Sequence, residues 1–72
     1  MITLDIDIHQ SGVLRIEVYD VSGNFIEEIN KGHVNIGNQS FQWSGNNSPS
    51  GMYFFKITDG DIVQIRKAVL LK

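Results

Sequence analysis

The side chains best placed for chemistry are two pairs of carboxylates, each two residues apart: Asp5 with Asp7, and Asp59 with Asp61. Asp5 and Asp7 alternate with apolar residues and so share one strand face, while Asp59 and Asp61 flank a glycine. A calcium ion takes about six to eight oxygen ligands converging from several directions, and neither pair supplies them. All four read as solvated carboxylates. His9 falls on the polar side of a strand pattern and His33 in a turn-like stretch, each without a nucleophile or orienting acid at useful spacing. Both read as solvent-facing. With no cysteine in the chain, disulfides and thiolate zinc sites are excluded. Tyr19, Met52 and Phe54 offer the surface to stack on a sugar ring, although such groups more often cover an edge or pack on a neighbouring domain. The pattern points away from catalysis, and no cofactor or metal is expected.

A chain of 72 residues has room for one core, so residues 1–72 are expected to form a single domain held by packing and strand pairing. Charge is uneven along it. Asp5, Asp7, Glu17, Asp20, Glu27 and Glu28 outweigh Arg15 and Lys31 in the first half; Lys56, Arg66, Lys67 and Lys72 outweigh Asp59 and Asp61 in the second. Neither half has a basic cluster dense enough for nucleic acid. No apolar run approaches the roughly 18 residues that span a bilayer, so membrane insertion is not expected. Met1 leads straight into a strand pattern without a basic and apolar leader, so an export address is expected elsewhere. Asn38-Gln39-Ser40 and Asn46-Asn47-Ser48 fit a glycosylation sequon, a pattern that polar loops produce by chance.

These side chains must be positioned by strands. Ile2, Leu4, Ile6 and Ile8 alternate with polar residues, and after Gln10-Ser11-Gly12 the alternation resumes at Leu14, Ile16 and Val18. A hairpin would set Ile8 against Leu14; an arch to an opposing sheet preserves the same parity, and the pattern does not choose between them. Val21-Ser22-Gly23, with Gly23 left-handed, predicts a turn that opposes Tyr19 to Phe25 and Val18 to Ile26. A bulge at Glu27-Glu28 would then bring Ile29 inward. Asn30 to Gly32 reads as a turn, Val34 to Ile36 as a weak strand, and Ser40 to Ser44 as a strand with Phe41 and Trp43 on one side. Ser44 to Ser50 is a loop.

The closing stretch, Ser50 to Lys72, is the densest in apolar and aromatic residues. A two-residue Asp59-Gly60 turn would oppose Phe55 to Gln64, whereas a three-residue Thr58-Asp59-Gly60 loop opposes Phe55 to Val63 and Tyr53 to Ile65. Burying Val63 and Ile65, at roughly 1.5–3 kcal/mol each, favours the longer loop with Gly60 left-handed. Lys56, Gln64 and Arg66 then face out. The same parity turns Lys67 inward, so a bulge or slip is expected at Arg66-Lys67, with Lys67 to Lys72 freed from the regular pairing. Helical periodicity is absent throughout, and the fold expected is an all-β, two-layer antiparallel sandwich of about six to seven strands with Trp43 and Tyr53 as its large core residues.

Taken in order, the features have a family look: Tyr19-Asp20-Val21-Ser22-Gly23-Asn24, then Gly37, Trp43-Ser44-Gly45, Pro49-Ser50-Gly51-Met52-Tyr53, and a terminal Lys67-Ala68-Val69-Leu70-Leu71-Lys72. The chain resembles, from Ile2 to Lys72, the type A C-terminal sorting domain of proteins exported by the type IX secretion system of Bacteroidetes. It is also similar to the immunoglobulin-like domain of the flagellar hook-capping family. The resemblance implies an immunoglobulin-like sandwich with Asp20, Gly23, Trp43, Gly51, Tyr53 and Gly60 as structural positions. It implies too a sorting signal in Lys67, Ala68, Val69, Leu70, Leu71 and Lys72. The partners implied are the outer-membrane secretion machinery, a sortase-like peptidase and an upstream cargo domain; the place implied is the cell exterior or outer-membrane surface, reached through the periplasm. Ser44 stands where the family usually has Asp, and the family's usual Asn-Pro segment and first strand have no counterpart. An unpaired edge is therefore expected, open to a recruited strand or to a second copy. The competing class is a structural or linker module like the hook-capping domain.

Overall fold

The computed structural model describes residues 1–45 and 47–71, apart from the side chain of Asn30. The described residues form six strands: β1 (Ile2–Ile8), β2 (Gly12–Asp20), β3 (Phe25–Val34), β4 (Gly37–Trp43), β5 (Gly51–Asp59) and β6 (Ile62–Leu70). They form two antiparallel sheets, β1-β4 and β3-β2-β5-β6. The fold is an all-β sandwich. Its strand order matches the B-E and C′-C-F-G strands of the immunoglobulin arrangement.

The strict alternation of β1 buries Ile2, Leu4, Ile6 and Ile8 and leaves the residues between them in water. Since β1 pairs with β4 and not with β2, the chain at His9 to Ser11 arches between sheets. Leu14, Ile16 and Val18 of β2 and Tyr53, Phe55 and Ile57 of β5 face β1 from the other layer, with Phe41 and Trp43 of β4 and Leu70 of β6 completing the core. Trp43 lies edge-on to Tyr53 at 5.0 Å and to Phe55 at 5.6 Å, geometries that aromatic quadrupoles favour. The two large residues expected in the core are there.

Several registers differ from expectation. Tyr19 opposes Phe25 as expected, but Val18 opposes Glu27, so the bulge sits at Ile26 rather than at Glu27-Glu28. Ile29 still arrives opposite Ile16. Moving the bulge also turns Glu27 toward the core side, where its carboxylate accepts the indole N–H of Trp43. Asn30 to Gly32 is no turn: β3 runs through it with a second bulge at Lys31, since Leu14 opposes Gly32 and Arg15 opposes Asn30.

The β5–β6 hairpin departs furthest. Asp59 opposes Ile62 across a Gly60-Asp61 turn, so Phe55 faces Arg66 and Tyr53 faces Ala68. Neither loop weighed from the sequence is the one formed. Val63 and Ile65 point outward, 52% and 61% exposed, and are not core. Gln64 and Arg66 lie instead on the inner side, where two opposing strands cannot cover four. Lys67 then faces water without any slip: pairing stays regular to Gly51 with Leu70, and the bulge expected at Arg66-Lys67 is absent.

Candidate functional site

The proposed signal segment does not form one surface. Within β6, Lys67 and Val69 point outward opposite Phe54 and Met52, while Ala68 is half-buried opposite Tyr53 and Leu70 is fully buried. Leu71, beyond the strand, is 78% exposed. Lys72 lies outside the described residues. Alternation thus divides the segment into anchoring residues and displayed ones. Because β6 is paired only with β5, its other backbone edge stays unpaired by any described strand.

The structural positions cluster at the two ends of the sandwich. At one end the Asp20 carboxylate accepts the backbone N–H groups of Ser22 and Asn24, both at 2.9 Å, and Gly23 takes a positive φ. The bond from the Asn24 backbone, with those from Ser22, Gly23 and the Asn24 side chain, holds Asp20 below the usual carboxylate value despite some desolvation. Nearby, the Tyr53 hydroxyl donates to the Pro49 carbonyl at 2.6 Å. A strand-F tyrosine bonded back to the chain just before it is the tyrosine corner of immunoglobulin-type sandwiches. Gly51 opens β5 just ahead of it. Gly45 packs beneath Leu70 and the Trp43 ring at a positive φ; a Cβ there would lie 2.6 Å from Leu70 Cδ2.

At the other end, Asp59 is not the solvated carboxylate expected. It is 2% exposed and accepts the backbone N–H of His9 at 2.7 Å, with His9 Nδ1 at 3.8 Å. Gly60, left-handed at φ 60°, lies against the Gln10 side chain, and Asp61 N–H donates to Gln10 Oε1 at 3.5 Å. The arch between the sheets is therefore held by the β5–β6 turn. Three functional partners escaped the sequence reading: Glu27 for Trp43, Pro49 for Tyr53, and Asp59 for His9. Only Pro49, four residues before a tyrosine near the start of a strand, left a signal in the order of residues.

Among the described residues no three His, Asp or Glu side chains gather as a metal site. Open clefts of about 330 and 280 Å³ flank Ile26; their ionisable groups, Glu27 and Asp20, already serve Trp43 and the Asp20 turn. His9 and His33 are exposed, as expected. Among the described residues no helix is long and apolar enough to cross a membrane. Fold and site together define a small immunoglobulin-like sandwich whose exposed edge and faces, rather than a pocket, are available for recognition.

The family model of the secretion system C-terminal sorting domain matches residues 1–71, and the chain belongs to that family. It is a sorting-signal domain of type IX secretion, a family that is not catalytic. No curated protein and no solved structure matches the chain.

Proposed function

We propose that this domain is the signal through which the type IX outer-membrane machinery exports a cargo domain joined upstream of it. A sortase-like peptidase then removes the domain and fixes the cargo at the cell surface. The observation that carries this reading is the family match across residues 1–71. The chain's own contribution is β6. Its unpaired edge suits strand addition, in which main-chain bonds give affinity and alternate side chains give specificity. Lys67, exposed on the outward side, adds a positive charge for steering. In this reading Lys67, Val69 and Leu71 present the segment, Ala68 and Leu70 anchor it, and Lys72 extends it. Kinship with the hook-capping immunoglobulin-like domain belongs to the same proposal, supported by the strand order.

Deleting residues 67–72 would remove Leu70 from the core and confound export with folding. The test is a secreted reporter fused to this domain carrying Lys67→Glu with Val69→Ser. Circular dichroism is expected to stay native while export falls. Unchanged export by the folded variant would reject the segment as the signal.

A further inference from the structure

Leu70 is the only buried residue of the nine in β6; Ile62, Gln64 and Ala68 are half-covered and the rest are exposed. Among the described strands only β5 pairs with β6. A strand bound along one edge, and anchored on its inner side at a single point, frays from its end unless that point holds. The anchor lies within the segment read above as the displayed signal. Whatever seats Leu70 therefore also sets how that segment is shown.

The seat comes from outside β6 and its partner. Gly45, just past the end of β4, lies where a Cβ would be 2.6 Å from Leu70 Cδ2 and 3.3 Å from Trp43 Cη2 and Cζ3. Leu70 and the Trp43 ring thus flank one point, and only a residue without a side chain leaves room for both. Gly45 has a left-handed φ of 61°, which glycine takes without the steric cost of a Cβ. Its carbonyl accepts the N–H of the buried Ser48 at 3.0 Å, which closes the loop around it. The Trp43 ring is in turn tied through its indole N–H to the Glu27 carboxylate of β3. The seat draws on β3, β4 and the loop after β4.

We infer that Gly45 and Trp43 are positioning residues of the export signal. By seating Leu70 they hold Lys67 and Val69 in one register along an ordered strand edge, and this docked form is the one a partner strand reads. The alternation that turns Leu70 inward turns Val69 and Lys67 outward, so fixing one fixes the others. Strand addition uses an edge that is already extended, and ordering a loose segment on binding would subtract from affinity. This role rests on the sorting reading, and makes the signal conditional on a contact formed outside it.

Hydrogen exchange, run beside export of a fused reporter, tests both halves. Gly45→Ala should lower amide protection across residues 67–70 by about ten-fold or more relative to β2, and export should fall with it. Leu70→Val keeps an apolar strand former but shortens it; it should lower both by less, and it serves if Gly45→Ala does not fold. Valine also lacks the Cδ2 atom that the new methyl would meet. Gly45→Ala combined with Leu70→Val should therefore regain protection over Gly45→Ala alone, a rescue that backbone strain at Gly45 does not predict. Ile16→Val, in the core of β2 away from the seat, should weaken the fold without singling out residues 67–70 and leave export intact. Normal export by a Gly45→Ala chain whose residues 67–70 have lost protection overturns the inference. So does protection that is unchanged or lost evenly in all strands, or the absence of rescue in the pair. Failure of the sorting reading shows separately, as normal export of the folded Lys67→Glu with Val69→Ser chain, in which Gly45 is intact.

Discussion

On the outward face of β1 and β4, Asp5 faces Ser40 and Asp7 faces Asn38, and both pairs close by hydrogen bonds of 3.0 and 3.1 Å. On the outward face of the four-stranded sheet, Ile65 faces Lys56 and Val69 faces Met52, with more than half of Ile65 and Val69 in water. Both faces belong to strands whose inner residues fill the same core, so burial does not dictate either composition. An outward position is free to be polar, and the first face uses that freedom. The second uses it only in part: Glu17, Glu28, Lys56 and Lys67 share that face with the exposed Ile65 and Val69.

The comparison breaks if an outward apolar residue behaves like an inward one, and the C-terminal segment is where to look. Leu70→Ala should cost about 2–5 kcal/mol by urea unfolding, from lost burial and the cavity left against Gly45 and Trp43. Val69→Ala, its outward neighbour, should cost less than about 1 kcal/mol. Equal losses would mean that Val69 is covered within the monomer.

Both faces depend on the clamp that joins their sheets. Asp59→Ala removes a buried carboxylate that holds the His9 N–H, and should destabilise by about 1.5–3 kcal/mol in the same assay. The polar face is worth less. A double-mutant cycle of Asp5→Ala and Ser40→Ala should return a coupling of about 0.2–1 kcal/mol, since the bond is exposed. Ile65→Lys should leave unfolding within about 0.5 kcal/mol of wild type. A larger penalty would show that the apolar face supports the monomer.

The smallest effect expected lies in the turn beside both faces. Asp20 is bonded by Asn24 and Ser22 and sits below its ordinary value of 3.8. A carboxylate lowered in the folded state adds stability above its unfolded value, and loses it as pH falls through the folded one. Wild type should therefore exceed Asp20→Asn in thermal midpoint above about pH 4, and the gap should close in more acidic solution.

Much of the β6 register is legible in particular residues. Val63 and Ile65 are apolar, but apolarity alone does not imply burial. The parity that buries them also buries Lys67, whereas the opposite parity exposes Lys67 and buries Ala68 and Leu70 without any slip. One misplaced lysine was the better guide. The bulge at Ile26 was legible in kind, because Ile29 had to come inward, but not in place; its position is set by Glu27 reaching Trp43, a contact made across the sandwich.

The sequence by itself determined the alternation of β1 and β2, the Asp20 to Asn24 turn, the aromatic core around Trp43 and Tyr53, and the family. Each of these rests on local period, local turn chemistry or residue order. Tertiary structure alone decided that β1 crosses to pair with β4, because a hairpin and an arch give the same parity. It alone decided how much of the inner side of β6 is covered, because a two-stranded layer leaves the edge of a four-stranded one, Arg66 among its residues, open whatever those residues prefer.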